Sequence, residues 1–183
     1  MHKFAAASEH ELIVFGAAKP GYRDEEVARW IDFMRCQKVD RVCCLLPHRK
    51  LIRYSDLLGT YRKIFGCDRI CWAPIADFEL ADREILVDRI LPFLASANST
   101  GDRVVVHCGG GIGRTGHVLA AWLVCGRGFS NQEAIAAVKK TGRNPYEAAI
   151  FAVFKGRNPW KVAEKLDALL DDCRIGFGNE LFE

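Results

Sequence analysis

The segment VVVHCGGGIGRTG, residues 104–116, sets a cysteine at the end of an apolar run, follows it with a glycine-rich turn, and closes on arginine and threonine. A thiol at the start of a helix is held toward the thiolate by the backbone N–H groups and the helix dipole, which makes it a nucleophile at neutral pH. The same N–H groups form a ready site for a tetrahedral anion. Gly109, Gly110, Gly111 and Gly113, with Ile112 among them, let the backbone come close to such an anion. Arg114 can return over the loop and grip two phosphate oxygens with its planar fork, which lysine cannot do. Thr115 is placed to hydrogen-bond the sulfur.

Two other chemistries use the same glycines and fit less well. A nucleotide-binding Walker loop requires a glycine where Cys108 stands and a lysine where Arg114 stands. Gly111-x-Gly113-x-x-Gly116 matches a dinucleotide fingerprint, with an acidic residue downstream at Glu133. That acid should end a second strand, whereas Ser130-Asn-Gln-Glu133 is a capping box that opens a helix. Only the cysteine reading uses His107, Cys108, Arg114 and Thr115 together.

The elements that must position this loop follow from hydrophobic pattern. Strands are expected at residues 3–6, 12–15, 41–46, 69–73 and 103–107, where continuous apolar runs suit strands covered on both faces. Val27, Trp30, Ile31 and Met34 repeat at helical spacing, so 24–36 reads as an amphipathic helix. A second helix, 55–65, stops at Gly66. A third, 82–97, carries Leu86, Ile90, Phe93 and Leu94 on one face, with Pro92 expected to kink it or end its regular part. Residues 114–125 are apolar almost all round, the mark of a central buried helix, and the capping box opens 131–140. Asn144-Pro145 and Asn158-Pro159 each supply an N-cap and a proline at the first helical position, opening two last helices. The sum is α/β, a sheet flanked by helices, with the motif at a strand-to-helix joint.

Composition narrows the class. At 183 residues, 50% hydrophobic and 27% charged, the chain fits neither a disordered nor a membrane-embedded protein. With no repeat or linker, a single domain over 1–183 is expected. A net charge of +3 without a long basic run gives no argument for a nucleic-acid partner, and none is expected at a membrane. The eight cysteines, at 36, 43, 44, 67, 71, 108, 125 and 173, contain no Cys-x-x-Cys pair, so no metal is expected. The opening MHKFAAASEHELIVFG lacks a signal-peptide pattern, so the thiols are expected reduced in a cytoplasmic protein, most of them as small buried hydrophobes. The tryptophans at 30, 72, 122 and 160 are expected in or near the core.

The pattern His-Cys-x-x-Gly-x-Gly-Arg-Ser/Thr is matched at every fixed position by His107, Cys108, Gly111, Gly113, Arg114 and Thr115. In this the chain resembles the protein tyrosine phosphatase superfamily, specifically its small atypical dual-specificity branch. The resemblance covers residues 3–155, with the helix expected at 159–174 beyond it. It implies a central, mostly parallel sheet of about five strands with the motif loop at its C-terminal edge, and no cofactor. It implies a phosphorylated protein substrate, phosphotyrosine favoured and phosphoserine or phosphothreonine second, and a cysteinyl-phosphate intermediate on Cys108. Arg114 and the amides of 109–113 would hold the phosphate oxygens, and His107 would order the loop.

The resemblance also implies an aspartate acid about thirty residues before the cysteine. Asp77, in WAPIADFELAD, fills that place, and Asp77-Phe78 matches the Asp-Phe of the resembling enzymes. Asp82 reads better as a helix N-cap, and Asp102 precedes its strand at the far edge of the sheet. Where such enzymes often carry a water-orienting glutamine, residues 142–149 carry none, leaving Asn144 or Glu147 for that task. Arg143 is either near the substrate phosphate or a solvated loop residue. His48 and His117 are expected at the surface or in packing.

Three alternatives remain within this resemblance. A phosphate-binding pseudoenzyme has no need for Cys108, Arg114 and Asp77 together. Low-molecular-weight phosphatases and arsenate reductases carry their cysteine loop near the chain start. Phosphoinositide phosphatases of the same fold place lysine in the loop, where Gly109, Gly110 and Ile112 add no charge. Cys43 and Cys44 are candidate resolving partners for an oxidised Cys108.

Overall fold

A computed structural model describes residues 2–178 of the chain, with side chains placed through residue 174; residues 1 and 179–183 of the expected domain lie outside the described residues. In chain order the elements are β1 (Ala5–Ala6), β2 (Val14–Ala18), α1 (Asp24–Cys36), β3 (Arg41–Cys44), α2 (His48–Leu51), α3 (Leu57–Phe65) and β4 (Ile70–Trp72). There follow α4 (Arg83–Ile85), a π-helical turn (Leu86–Ile90), α5 (Leu91–Thr100), β5 (Val104–Cys108), α6 (Gly113–Arg127), α7 (Asn131–Lys140), α8 (Glu147–Ala152) and α9 (Pro159–Gly178). The five strands form one sheet in the order β1-β2-β5-β3-β4, parallel except for the β1–β2 pair. This is the expected α/β architecture.

β5 is the middle strand, so its backbone is paired on both sides: Cys108 lies opposite Ala18 of β2, and His107 opposite Cys44 of β3. Alternation sends Val104, Val106 and Cys108 to the face covered by α5, α6 and α9. Val105 packs on the other face, with Trp30 and Met34 of α1 and Tyr61 of α3. Burial on both faces explains why this strand is written VVVHC with no polar alternation. From Gly113 to Val124 every residue of α6 is buried, Arg114, Thr115 and His117 included.

Several boundaries depart from the sequence expectation for identifiable reasons. β2 starts at Val14 because the buried carboxylate of Glu11 accepts the N–H groups of Ile13 and Val14, holding 11–13 as a turn and leaving Leu12 exposed. The regular part of the helix before Pro92 ends early, at Ile85: a π turn follows, and α5 starts at Leu91 with the proline in its first turn. The π turn immediately before the proline inserts an extra residue in the ladder, so the missing N–H breaks no regular bond. Asn144 is not a helix N-cap: its Oδ1 accepts the Tyr146 N–H in a local turn, and α8 begins only at Glu147. Asn158 does cap α9, accepting the Trp160 N–H at 2.9 Å. Trp160 is 76% exposed, not near-core, because it stands on the first turn of α9 beyond the sheet's cover. Cys36 and Cys67, at element ends, are exposed; Cys43, Cys44, Cys71, Cys108 and Cys173 are buried as expected.

Glu11 also joins the far ends of β2 and α6. Its oxygens receive Trp122 Nε1 at 3.1 Å and the Arg127 guanidinium at 2.9 Å. These bonds hold the Glu11 carboxyl below its ordinary range, although burial alone would raise it. Replacing Glu11 by alanine strands a half-buried arginine and three N–H donors; a loss of about 3 kcal/mol is expected, read as a shift in denaturant midpoint at pH 7.

Candidate active site

The loop from Cys108 to Gly113 leaves the C-terminal end of β5, where the parallel strands converge. None of the N–H groups of Gly109, Gly110, Gly111 and Ile112 donates to a backbone carbonyl among the described residues. They stand free above the start of α6, the arrangement that suits an anion. Gly111 takes φ +69°, and a Cβ there would lie 2.6 Å from the backbone of Ala17, so only glycine fits between loop and β2. Just past the end of β2, the Lys19 N–H braces the loop by donating to the Cys108 carbonyl at 3.0 Å. Cys108 itself is 2% exposed.

Arg114 is buried and turns back over the loop: its Nη2 lies 3.0 Å from where a Cβ on Gly109 would stand. Nη1 donates to the Ile75 carbonyl at 3.0 Å, and Nη2 meets Asp77 Oδ1 at 2.6 Å. Thus Asp77, 31 positions before the cysteine, is brought to the motif as expected. Its Oδ2 is held by Arg49 at 2.7 Å, with Lys50 at 3.6 Å, both from α2. The rest of its segment is clasped from the opposite side. Phe78, at the strained φ of +61°, stacks on Phe151 at 3.9 Å between centroids, and Glu79 pairs with Lys155 and Arg157. Asp82 stands at the N-cap position of α4 without a side-chain cap bond. Asp102 pairs with Arg41 and lies before β5, at the other edge of the sheet.

His107 faces away from Cys108, with Nε2 3.3 Å from the Tyr61 hydroxyl and its ring edge-on to Trp30. Burial pushes its pKa down to about 3, so the imidazole is neutral. The Thr115 hydroxyl is buried without a partner among the described residues and remains free to meet the sulfur. Glu147 sets its side chain against Gly113, where a Cβ would collide with it. Asn144 is engaged in its own turn. Arg143 is neither solvated nor turned toward a phosphate. Its buried guanidinium donates to the carbonyls of Lys3, Gly16 and Thr141, tying the β1–β2 hairpin to the end of α7. Gly16 makes room for it, since a Cβ there would stand 2.7 Å from Arg143 Nε.

The sequence reading missed a group of cations at the same edge. Arg49, Lys50 and Arg53 follow β3, and Lys19 follows β2. The Lys19 ammonium sits 3.5 Å over the Tyr22 ring, and Arg53 stacks on the same ring at 3.7 Å. Burial, then the like charges of Arg53 and Lys50, hold Lys19 below its ordinary value. The signal was the His48-Arg49-Lys50 run directly after an apolar strand, at the edge where the motif also ends. Of the candidate resolving thiols, Cys43 lies across from Cys71 in the neighbouring strand and is held protonated, while burial raises Cys44 to about 12.

A family model described as the dual specificity phosphatase catalytic domain matches residues 63–152, from the end of α3 through the motif to α8. With the fold and the complete motif, this match supports a catalytic domain of the cysteine-dependent, dual-specificity phosphatase type. Among solved structures it is similar to Tk-PTP in the active form, at 26% identity and a TM-score of 0.63, covering 85% of this chain and 92% of that one. It is similar in fold to PTPMT1 in complex with PI(5)P, at 16% identity and a TM-score of 0.68, covering 94% and 97%. A third likeness of fold, at 16% identity and a TM-score of 0.56 over 92% and 88%, is to P. aeruginosa TpbA in complex with pTyr.

Burial also lowers His117 of α6, to about 4. An unfolded chain therefore binds protons at His107 and His117 that the folded chain refuses, so stability is full above about pH 6.5 and falls as the pH drops toward 4 and 3. Denaturant midpoints measured from pH 7 to pH 4 should decline, and His117→Gln should flatten part of that decline.

Proposed function

We propose that this chain hydrolyses phosphomonoesters of phosphoproteins, phosphotyrosine first and phosphoserine or phosphothreonine second, through a cysteinyl-phosphate. The carrying observation is the buried Arg114, shared between the anion loop and Asp77. A phosphate dianion seated on the free loop amides takes the guanidinium fork from the Asp77 carboxylate. Cys108 thiolate attacks phosphorus in line, the bond to the leaving oxygen breaks, and protonated Asp77 gives that oxygen its proton. Water then attacks the phosphocysteine, giving a proton to Asp77 as the S–P bond breaks, and inorganic phosphate leaves. The Thr115 hydroxyl donates to the departing sulfur. The loop amides and Arg114 stabilise the charge on the three equatorial oxygens in both steps. Glu147, beside Gly113, is better placed than Asn144 to orient the water, and His107 keeps the strand end in place through Tyr61. No helix among the described residues is long and apolar enough to cross a membrane, and the eight cysteines are all free, which supports a cytoplasmic setting.

A second reading, phosphoinositide hydrolysis, is favoured by one observation: Lys19, Lys50 and Arg53 gather beside the loop, and Lys19 and Arg53 pair with no carboxylate among the described residues. The loop itself adds no charge beyond Arg114, which supports the phosphoprotein reading. Rates on phosphotyrosyl peptides, phosphoseryl and phosphothreonyl peptides and phosphoinositides separate the two. Turnover is expected on the peptides, abolished in Cys108→Ser and reduced about a hundredfold in Asp77→Asn. Turnover confined to lipids, lost about tenfold further in Lys19→Ala/Arg53→Ala, would establish the second reading instead. Stoichiometric binding of peptide without turnover would make the chain a pseudoenzyme.

A further inference from the structure

His117 lies on α6 one turn beyond Arg114 and is buried, 1% exposed. Its Nε2 accepts the backbone N–H of Ala81 at 3.1 Å. With Nε2 accepting, a neutral ring carries its proton on Nδ1. The tautomer is therefore set by a backbone group in the segment that bears Asp77.

Ala81 is the last residue of that segment before α4, and it is buried, so its N–H has no recourse to water. The other end of the segment is fixed by Arg114, whose Nη1 takes the Ile75 carbonyl. The stretch 75–81 is thus pinned at both ends to the first turn and a half of α6, with Asp77 between the pins. It includes Phe78 in the left-handed region, a conformation that a non-glycine residue keeps only when its surroundings over-determine it. Further contacts, Phe151 on Phe78, Lys155 and Arg157 on Glu79, and Arg49 and Lys50 on Asp77, reach the segment from α8, the turn after it and α2.

We propose that His117 is a positioning residue for the proton donor: its neutral imidazole holds Ala81, and through it the Asp77 segment, at the height above the phosphate loop that brings the carboxyl to the leaving oxygen. This rests on the reading of Asp77 as the acid. Arg114 then serves the segment from its beginning and His117 from its end, and both are carried by the helix whose N-terminus closes the anion site. Nucleophile, anion cradle and proton donor share one rigid support.

The test uses kcat/KM for two aryl phosphates, phenyl phosphate and 2,4-dinitrophenyl phosphate, which report cleavage of a poor and a good leaving group. His117→Ala should lose about tenfold or more on phenyl phosphate and little on the dinitrophenyl ester, which needs no proton. His117→Gln, whose Oε1 can accept the Ala81 N–H, should recover most of the loss and guards against failure of the alanine variant to fold. Adding His117→Ala to Asp77→Asn should cost nothing further on phenyl phosphate. Equal losses on both esters, no loss on either, or no recovery by glutamine while the thermal midpoint is kept would overturn the assignment. If Asp77→Asn itself loses both esters equally, it is the reading of Asp77 that fails.

Discussion

A guanidinium taken out of water must be neutralised or it destabilises the fold that holds it. Arg114 is buried at the head of α6, and the bonds that satisfy it, to the Ile75 carbonyl and the Asp77 carboxylate, define where the 75–81 segment can lie. The anion loop and the acid segment are far apart in the chain, and this one side chain makes them a single object. A phosphate dianion offers the same guanidinium a closer match in charge and geometry than a carboxylate does. On the proposed mechanism substrate and Asp77 compete for this one partner. Arg49 and Lys50 hold the other Asp77 oxygen independently of Arg114.

The sheet makes this geometry inevitable. β5 sits between β2 and β3, so the ends of three parallel strands meet around Cys108. Lys19 follows the first of these strands, the α2 cations follow the second, and the cysteine loop follows the third. Binding at the carboxyl edge where strand order reverses is the general rule for open α/β sheets. Here it also gathers positive charge without any basic run in the phosphate loop itself. The opposite edge carries the stabilising polar network instead, with Glu11 joining β2 to α6 and Asp102 holding Arg41.

The site was legible where its information is local. Cys108, the glycines and Arg114 are contiguous, and each residue type answers to a requirement of the loop: a nucleophile, close backbone approach, a planar fork. Asp77 was found by its distance along the chain in enzymes that the motif resembles. Arg143 was not legible, because a loop arginine and a buried tie between carbonyls have the same sequence context. His117 was read as surface or packing for the same reason: on a helix apolar all round, a histidine carries no sign of which backbone N–H it faces. Trp160 was misplaced because an aromatic at the first turn of a helix looks alike whether the sheet covers that turn or ends before it.

Periodicity and caps act over a few residues, and so the sequence by itself determined most of the elements, the glycine loop and its candidate nucleophile. Tertiary structure decided the partners. The bonds from Arg114 to Ile75 and from Ala81 to His117 span 39 and 36 residues, and neither is written in any local pattern. They exist because buried polar groups must find one another wherever the sheet brings their segments together, and the order of the strands, not the order of the residues, chooses who meets.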